Sequence, residues 1–559
     1  WGPSAVERFN GQFAIALWDR TKRRFLLARD RVGIRPLYYA KVSQRLYFAS
    51  EVKSLLQAED VPRRLDPRGL AHVFGFWGPV APRTVFEDIE QLPPGTFALA
   101  EEGRPLKIQR YWQPRFREPR EEPYASPARI RDLAVALRDT LEEATKLRML
   151  RADVPVGVYI SGGIDSSVIG SLVRRFHQGN LRTFSLRFAH KDFDERDYQR
   201  QMVDRLGTEH VSVEVDYKDI AEAFYDAVWF AEAPMLRAAP APLFLLSRLV
   251  REHGYKVVLT GEGSDEFLAG YDIFREDRVR RFWAKDPTSK IRPALLGALY
   301  PWLTRSPAQA KALGRTFFGK GMDRIDRPWF SHIPRWESAQ ALQRIFRKER
   351  HAELEGFDAI AEVEAQLPPE IDTWEPLGKA QSVEIVTLLS SYLLSTQGDR
   401  MLMGNSVEGR FPFLDPNVID LANALPPEAK LHVLDEKHLL KQAAKDLLPA
   451  SILQRPKQPY RAPDAQSFVQ DDAPAYIAEV TSEEAIEAAG VFHPKGVARL
   501  FAKMQRMRDK TPSNADNMAV VGILSTQLLD RFFIRGEGPA ISVPEHLDTW
   551  TDRLGEKTA

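Results

Sequence analysis

The chain is 559 residues long, 44% hydrophobic and 28% charged, and sets 78 Lys and Arg against 77 Asp and Glu for a net charge of +1. That balance provides neither a basic surface for nucleic acid nor a polybasic face for a membrane, so small polar molecules are the expected partners. The absence of cysteine excludes disulfides, thiolate metal sites and a cysteine nucleophile from these residues.

The chain opens on Trp1 in sequence that already looks globular, and we expect a natural start upstream of it. From Phe13 to about Tyr111, strand-like runs ("FAIALWDR", "RFLLARDR", "PLYYAKV", "RLYFASEV", "TFALAEEGR") separated by turn-prone residues predict a β-rich domain over 1–115. "REPREEPYASP" is proline-rich, charged and aperiodic, and places a linker at 116–128. Ile130, Leu133, Leu137, Leu141, Ala144 and Leu147 then recur at helical spacing. Beyond them "VPVGVYI", "LRTFSLRF", "HVSVEV" and "YKVVLT" alternate with helical segments, which predicts a doubly wound parallel sheet and an α/β class. From about residue 275 to 535 the pattern is mostly helical, giving a second domain over 129–540 and a tail at 541–559. No apolar run approaches the length of a membrane span and no signal-peptide pattern is visible, so the expected address is cytoplasmic.

Two loops carry the chemistry. "VYISGGIDSSVIG" runs from an apolar strand through Ser161, Gly162 and Gly163 into a helix beginning at Ile164. A helix start of this kind offers unpaired backbone N–H groups to an anion, and glycines allow close approach. Ser161, Ser166 and Ser167 add hydroxyl donors, whereas Asp165 would repel phosphate unless a divalent cation lay between them. The alternative is that Ser161 and Asp165 merely cap the helix and the glycines make a tight turn. "YKVVLTGEGSDEFLAGY" repeats the grammar, with Thr260, Gly261, Glu262 and Asp265 after an apolar strand, although a solvated surface turn would read the same way. A parallel sheet can bring both loops to one edge, where Asp165 and Asp265 could share Mg²⁺ while Glu262 faces the reacting centre.

"SGGIDSS" resembles the pyrophosphate loop of N-type ATP pyrophosphatases. "TGEGSDEFLAGY", "GDRMLMGNSVEGRFPFLD" and "LLKQAAKDLLPASILQRPKQ" resemble, in order, blocks of glutamine-dependent asparagine synthetase. Residues 9–39, "FNGQFAIALWDRTKRRFLLARDRVGIRPLYY", resemble the later half of that family's Ntn-type glutaminase domain, so the β-rich region would be a partial glutaminase. The resemblance implies ATP-dependent amidation of aspartate through a β-aspartyl-AMP intermediate, with ammonia from glutamine and with ATP and Mg²⁺ as cofactors; the oligomeric state is not legible in the sequence, a homodimer being one open assembly. It further implies that Ser161, Gly162, Gly163, Asp165 and Ser166 hold pyrophosphate and metal. Ile160 and Leu186 would flank adenine, Thr260 and Gly261 contact nucleotide, and Asp265 serve as a second metal acid. Glu262 would support adenylate formation and its attack by ammonia, and Lys457 would stabilise phosphate charge unless it is simply a surface lysine. Arg237 aligns with an arginine beside the amino-acid pocket. Glu408 and Arg410, after Asp399 and Arg400, read as a pair that shapes that pocket, and Asp415-Pro416 as a helix cap followed by proline.

Two features depart from the family or leave the acceptor open. The glutaminase nucleophile, an N-terminal cysteine, is absent from the chain, for which truncation is the expected reason. "KQPYRAPD" differs from the pattern after the lysine, so another carboxylate, such as a polysaccharide uronic acid or a biosynthetic intermediate, remains an alternative acceptor. A β-lactam-synthetase-like cyclase, or a non-catalytic binding protein that keeps the fold, are the remaining alternatives.

Overall fold

The computed structural model describes residues 1–119, 126–300, 314–458, 460–508 and 510–539. The expected tail 541–559 and residues 120–125 of the expected linker lie outside the described residues.

The amino-terminal region builds two antiparallel sheets. β1 (Ala14–Asp19), β2 (Arg24–Arg29), β3 (Tyr38–Val42), β4 (Arg45–Ala49), β5 (Ile89–Gln91), β6 (Thr96–Glu101) and β7 (Lys107–Arg110) pair in the orders β1-β2-β6-β7 and β4-β3-β5. The five quoted runs become β1 to β4 and β6. β5 and β7, "IEQ" and "KIQR", are too short and polar to show alternation. Buried Asp30, just after β2, accepts from the backbone N–H groups of Phe13, Ile34 and Arg35, while buried Arg29 donates to the carbonyls of Gly33, Arg35 and Leu92. These bonds satisfy loop backbone that water cannot reach. Leu17, Trp18, Phe48 and Ile108 remain exposed on these sheets.

The helix Pro127–Leu150 leads into the second region. β8 (Val156–Tyr159), β9 (Arg182–Phe188), β10 (Glu209–Val215), β11 (Val257–Leu259) and β12 (Glu408–Arg410) form a parallel sheet in the order β10-β9-β8-β11-β12. Helices Ile164–Phe176, Arg196–Leu206, Tyr217–Ala231 and Pro240–Glu252 make the crossovers. Val158, Phe184, Val258 and Leu259 are fully buried, as strands covered on both faces require. The chain moves outward from β8 through β9 to β10, then returns to β11, so the order reverses between β8 and β11. Ligands of open parallel sheets bind outside the strand ends at such a switch point.

The mostly helical expectation for residues 275–535 holds among the described residues, with one strand, β12, set into it. Its three residues carry glycine at their centre and no periodicity, and they are held as a strand by pairing with β11, a partner about 150 positions away. Elsewhere that region is helical, including Pro416–Ala424 and Asn514–Leu529, and residues Ile385–Asp399 form a π-helix. Asp415 caps its helix by accepting from Asn417 N–H, with Pro416 at the first position, as expected.

The π-helix and its continuation lie against the amino-terminal sheets. Ser390 Oγ donates to the Val32 carbonyl at 2.8 Å, Arg35 pairs with Asp399, and Trp77 meets Tyr392 edge-on at 5.9 Å. Deeper in the same interface, Arg400 pairs with Glu232, which also binds Lys53. Among the described residues no helix is long and apolar enough to cross a membrane.

Candidate active site

Val158 and Leu259 are paired in register at the ends of β8 and β11, so the two glycine loops leave the sheet side by side. Their contact depends on missing side chains. A Cβ at Gly261 would lie 2.8 Å from Asp165 Cβ and 2.9 Å from Ser166 N. Gly162 has φ +75°, and a Cβ there would lie 2.6 Å from Tyr198 Cβ. Gly163 occupies the N-cap of the Ile164–Phe176 helix without any side-chain cap, so neither Ser161 nor Asp165 serves as the cap. Instead Ser161 Oγ and Ser166 Oγ lie 2.9 Å apart, and Ser161 Oγ accepts from Gly163 N–H at 3.3 Å. Ile160 is buried at the end of β8, and Leu186 on neighbouring β9 is also buried, its carbonyl accepting from Gln199 at 2.8 Å. Buried Thr260 donates its N–H to the Arg410 carbonyl of β12 at 3.0 Å.

The two aspartates of the loops face one another across two ammonium groups. Lys437 Nζ lies 2.6 Å from both Asp165 oxygens and 2.6 Å from Asp265 Oδ1. Lys457 Nζ lies 2.5 Å from Asp265 Oδ2 and 3.7 Å from Asp165 Oδ2, and Ser264 Oγ donates to Asp165 Oδ1 at 2.7 Å. Lys457 is therefore part of this cluster and not a free surface lysine. Burial alone would raise the Asp265 carboxyl, but the two lysines outweigh it and hold Asp265 below the usual carboxylate range. The same aspartates push the Lys457 ammonium above its ordinary range against the cost of its burial.

Beside this box stand two carboxyls that shift the other way from Asp265. Removal from water pushes half-buried Glu262 up to about 7; Lys457 and Lys437 oppose the rise, and Asp265 and Asp165 add to it. Burial pushes Glu266 up to about 8, reinforced by Asp265, and Tyr271 donates to its Oε1 at 2.8 Å. A carboxyl held near neutrality can both take and return a proton at physiological pH.

Sequence reasoning missed Lys437 and Arg455. Lys437, in "DEKHLL", lies just ahead of the block that carries Lys457 and takes up φ +51°, a conformation that no periodicity announces. Arg455 donates to the Gly162 carbonyl at 3.2 Å, pairs with Glu195 at 2.5 Å and lies 4.1 Å over the Tyr198 ring, tying the lysine-bearing segment to the first loop. The only signal for it was its place two residues before Lys457.

The side chains of Arg237, Glu408 and Arg410 are held by partners outside the Asp165–Asp265 box. Arg237 pairs with Asp464 at 2.9 Å, donates to Asn514 and lies 5.0 Å over Trp77. Asp464, from the unusual "RAPD", also accepts from Ala238 N–H at 2.9 Å. Glu408 and Arg410 pair at 2.7 Å on β12, and Arg410 donates to the carbonyls of Arg148 and Arg151. Gln12 donates to the Gly409 carbonyl at 2.8 Å, so this strand also meets the amino-terminal region.

A hard dication suits the donor set, because Mg²⁺ is usually held by one or two carboxylates plus substrate phosphates rather than by a full protein cage. Among the described residues no cluster of three or more His, Asp or Glu is arranged to hold a metal ion.

Residues 136–531 match the family model described as asparagine synthase, and residues 1–112 match a glutamine amidotransferase domain. The putative glutamine-hydrolyzing asparagine synthetase of Mycobacterium tuberculosis (strain ATCC 25618 / H37Rv) is 31% identical over 478 residues, covering 83% of this chain and 68% of that protein. Glutamine-hydrolyzing asparagine synthetase 1 of Bacillus subtilis (strain 168) is 27% identical over 517 residues, covering 92% and 76%. Amidase chyE of Penicillium rubens is 30% identical over 498 residues, covering 83% and 71%. With one family model spanning most of the chain, a second spanning the amino-terminal sheets, and relatives matched across both, the chain belongs to the asparagine synthetase family of ATP-dependent, glutamine-dependent carbon–nitrogen ligases.

Proposed function

We propose that the two loops form an adenylation centre at which the side-chain carboxylate of aspartate is activated and amidated to asparagine. The observation that carries this reading is the Asp165–Lys437–Asp265–Lys457 box beside Glu262, placed at the sheet's switch point. Ser161, Gly162, Gly163 and Ser166 bind the pyrophosphate portion of ATP at the helix start, Thr260 and Gly261 contact the nucleotide, and Ile160 with Leu186 flanks the adenine. Asp165 and Asp265 are the residues that hold Mg²⁺, which supplies neutralisation of the phosphate charge when bound.

In the first step a carboxylate oxygen attacks the α-phosphorus, the bond to the β-phosphate bridge breaks, and pyrophosphate leaves. Lys457 stabilises the charge that accumulates on that leaving group. In the second step ammonia attacks the acyl carbon, AMP departs with the former carboxylate oxygen, and Glu262 accepts the proton released by the attacking nitrogen. A carboxyl near 7 suits that exchange better than an ordinary glutamate, a weaker base that would accept the proton too poorly.

Aspartate is favoured as acceptor because relatives matched across both regions are named asparagine synthetases. A second acceptor class is favoured by one specific feature: Arg237 is already committed to Asp464 of "RAPD", and a relative of comparable identity is named an amidase. The test supplies ATP, Mg²⁺ and ammonium, which needs no cysteine, and compares aspartate with other carboxylates. Asparagine, AMP and pyrophosphate are expected in equal amounts, and Glu262→Ala is expected to slow their formation by about 100-fold or more. Pyrophosphate release that ignores aspartate but responds to another carboxylate would move the acceptor; no release from folded protein would overturn the reading.

A further inference from the structure

The position between Asp165 and Asp265 is filled by Lys437 itself. Its ammonium contacts three carboxylate oxygens at 2.6 Å, whereas Lys457 makes one contact at 2.5 Å and one at 3.7 Å on the outer side. Lys437 is 1% exposed and Lys457 is markedly more open, its side chain 20% exposed. The fold makes room for this lysine. A Cβ at Gly270 would fall 2.1 Å from both Lys437 Cε and Asp265 Oδ1, so the "LAGY" glycine clears the path of the side chain. The backbone around Lys437 is also fixed: Asp435 binds His438 and Lys441, and Glu436 accepts from Lys457 N–H and pairs with Arg275.

Two aspartates that share one cation and have that cation already present cannot bind another at the same point without ejecting the first. A dication and an ammonium at contact distance repel strongly in a site closed to water. The geometry points to Lys437 as a resident counter-cation of the metal position, so that a divalent ion enters only with the polyphosphate that draws the lysine away. This rests on the reading of Asp165 and Asp265 as the metal acids. Before nucleotide arrives, the lysine keeps the two carboxylates paired. After it arrives, the phosphates supply new negative charge for the displaced ammonium, and the metal takes the aspartates. Free metal alone then has no site on the free protein.

Mn²⁺ alone is the probe, followed by paramagnetic resonance in the absence of nucleotide. Wild type and Lys437→Arg are expected to leave Mn²⁺ free, whereas Lys437→Gln binds one Mn²⁺ at least about tenfold more tightly, and Asp265→Asn added to Lys437→Gln abolishes that binding. Circular dichroism and the thermal transition establish that each variant is folded. Wild type binding Mn²⁺ as tightly as Lys437→Gln, or folded Lys437→Gln binding none, would overturn the inference. Binding of the Mn²⁺–ATP chelate to wild type and to Asp165→Asn reads the metal assignment separately: equal binding and turnover in both would refute the metal role of Asp165 rather than the role of Lys437.

Discussion

Asp265→Asn is expected to abolish pyrophosphate release, by about 100-fold or more, and to destabilise the fold at the same time. The substitution keeps size and hydrogen-bonding capacity but removes one of two negative charges shared by buried Lys437 and partly buried Lys457. Lys437 and Lys457 would then face Asp165 alone, and breaking a buried ion pair by removing one partner typically costs about 3–5 kcal/mol. Denaturant unfolding reads the stability loss, and pyrophosphate release measured on the folded fraction reads the chemistry. Near-normal release with reduced stability would confine Asp265 to a structural role.

Glu232→Ala is the second large expected effect, and it falls on the junction of the two regions. Glu232 accepts from the backbone N–H groups of Val52 and Lys53 at 2.8 Å each, from Lys53 Nζ at 3.2 Å and from Arg400 Nη2 at 3.0 Å. It is fully buried at the C-cap of the Tyr217–Ala231 helix, in the left-handed region at φ +53°. Truncation would remove the buried carboxylate nearest the Arg400 guanidinium, leaving it Glu51 at 3.5 Å, Tyr38 and the more distant charge of Asp399. A loss of about 3–5 kcal/mol is expected, together with faster amide hydrogen exchange at Val52 and Lys53 than in the parallel sheet. Unchanged exchange at those two amides would show that the junction is held by Arg35–Asp399 and the π-helix instead.

The two loops were legible in the sequence because strand, glycine and helix follow one another within a dozen residues, and because buried parallel strands read as apolar runs. Their convergence was legible too, since alternating strands and helices imply a parallel sheet with a switch point. Lys437 was not: it meets Asp165 across 272 positions through a left-handed backbone and a gap left by Gly270. β12 was hidden for a related reason, because three residues around a glycine form a strand only when β11 is already there to pair with. Arg237 illustrates a third limit. Its residue type and alignment suggested a carboxylate partner in the substrate pocket, and the carboxylate it meets in the structure is that of Asp464 of the same chain, a pairing no local pattern announces.

The most direct test of an adenylating centre at these loops follows oxygen. Aspartate labelled with ¹⁸O in its side-chain carboxylate is turned over with ATP, Mg²⁺ and ammonium, and the products are examined by mass spectrometry. Transfer of one ¹⁸O into AMP, with unlabelled pyrophosphate, is the expected result, because the carboxylate oxygen that attacked the α-phosphorus must leave with it. Label appearing in inorganic phosphate alongside ADP would mean attack at the γ-phosphorus, and would contradict a pyrophosphate-releasing centre at the Ser161–Gly163 and Gly261–Gly263 loops.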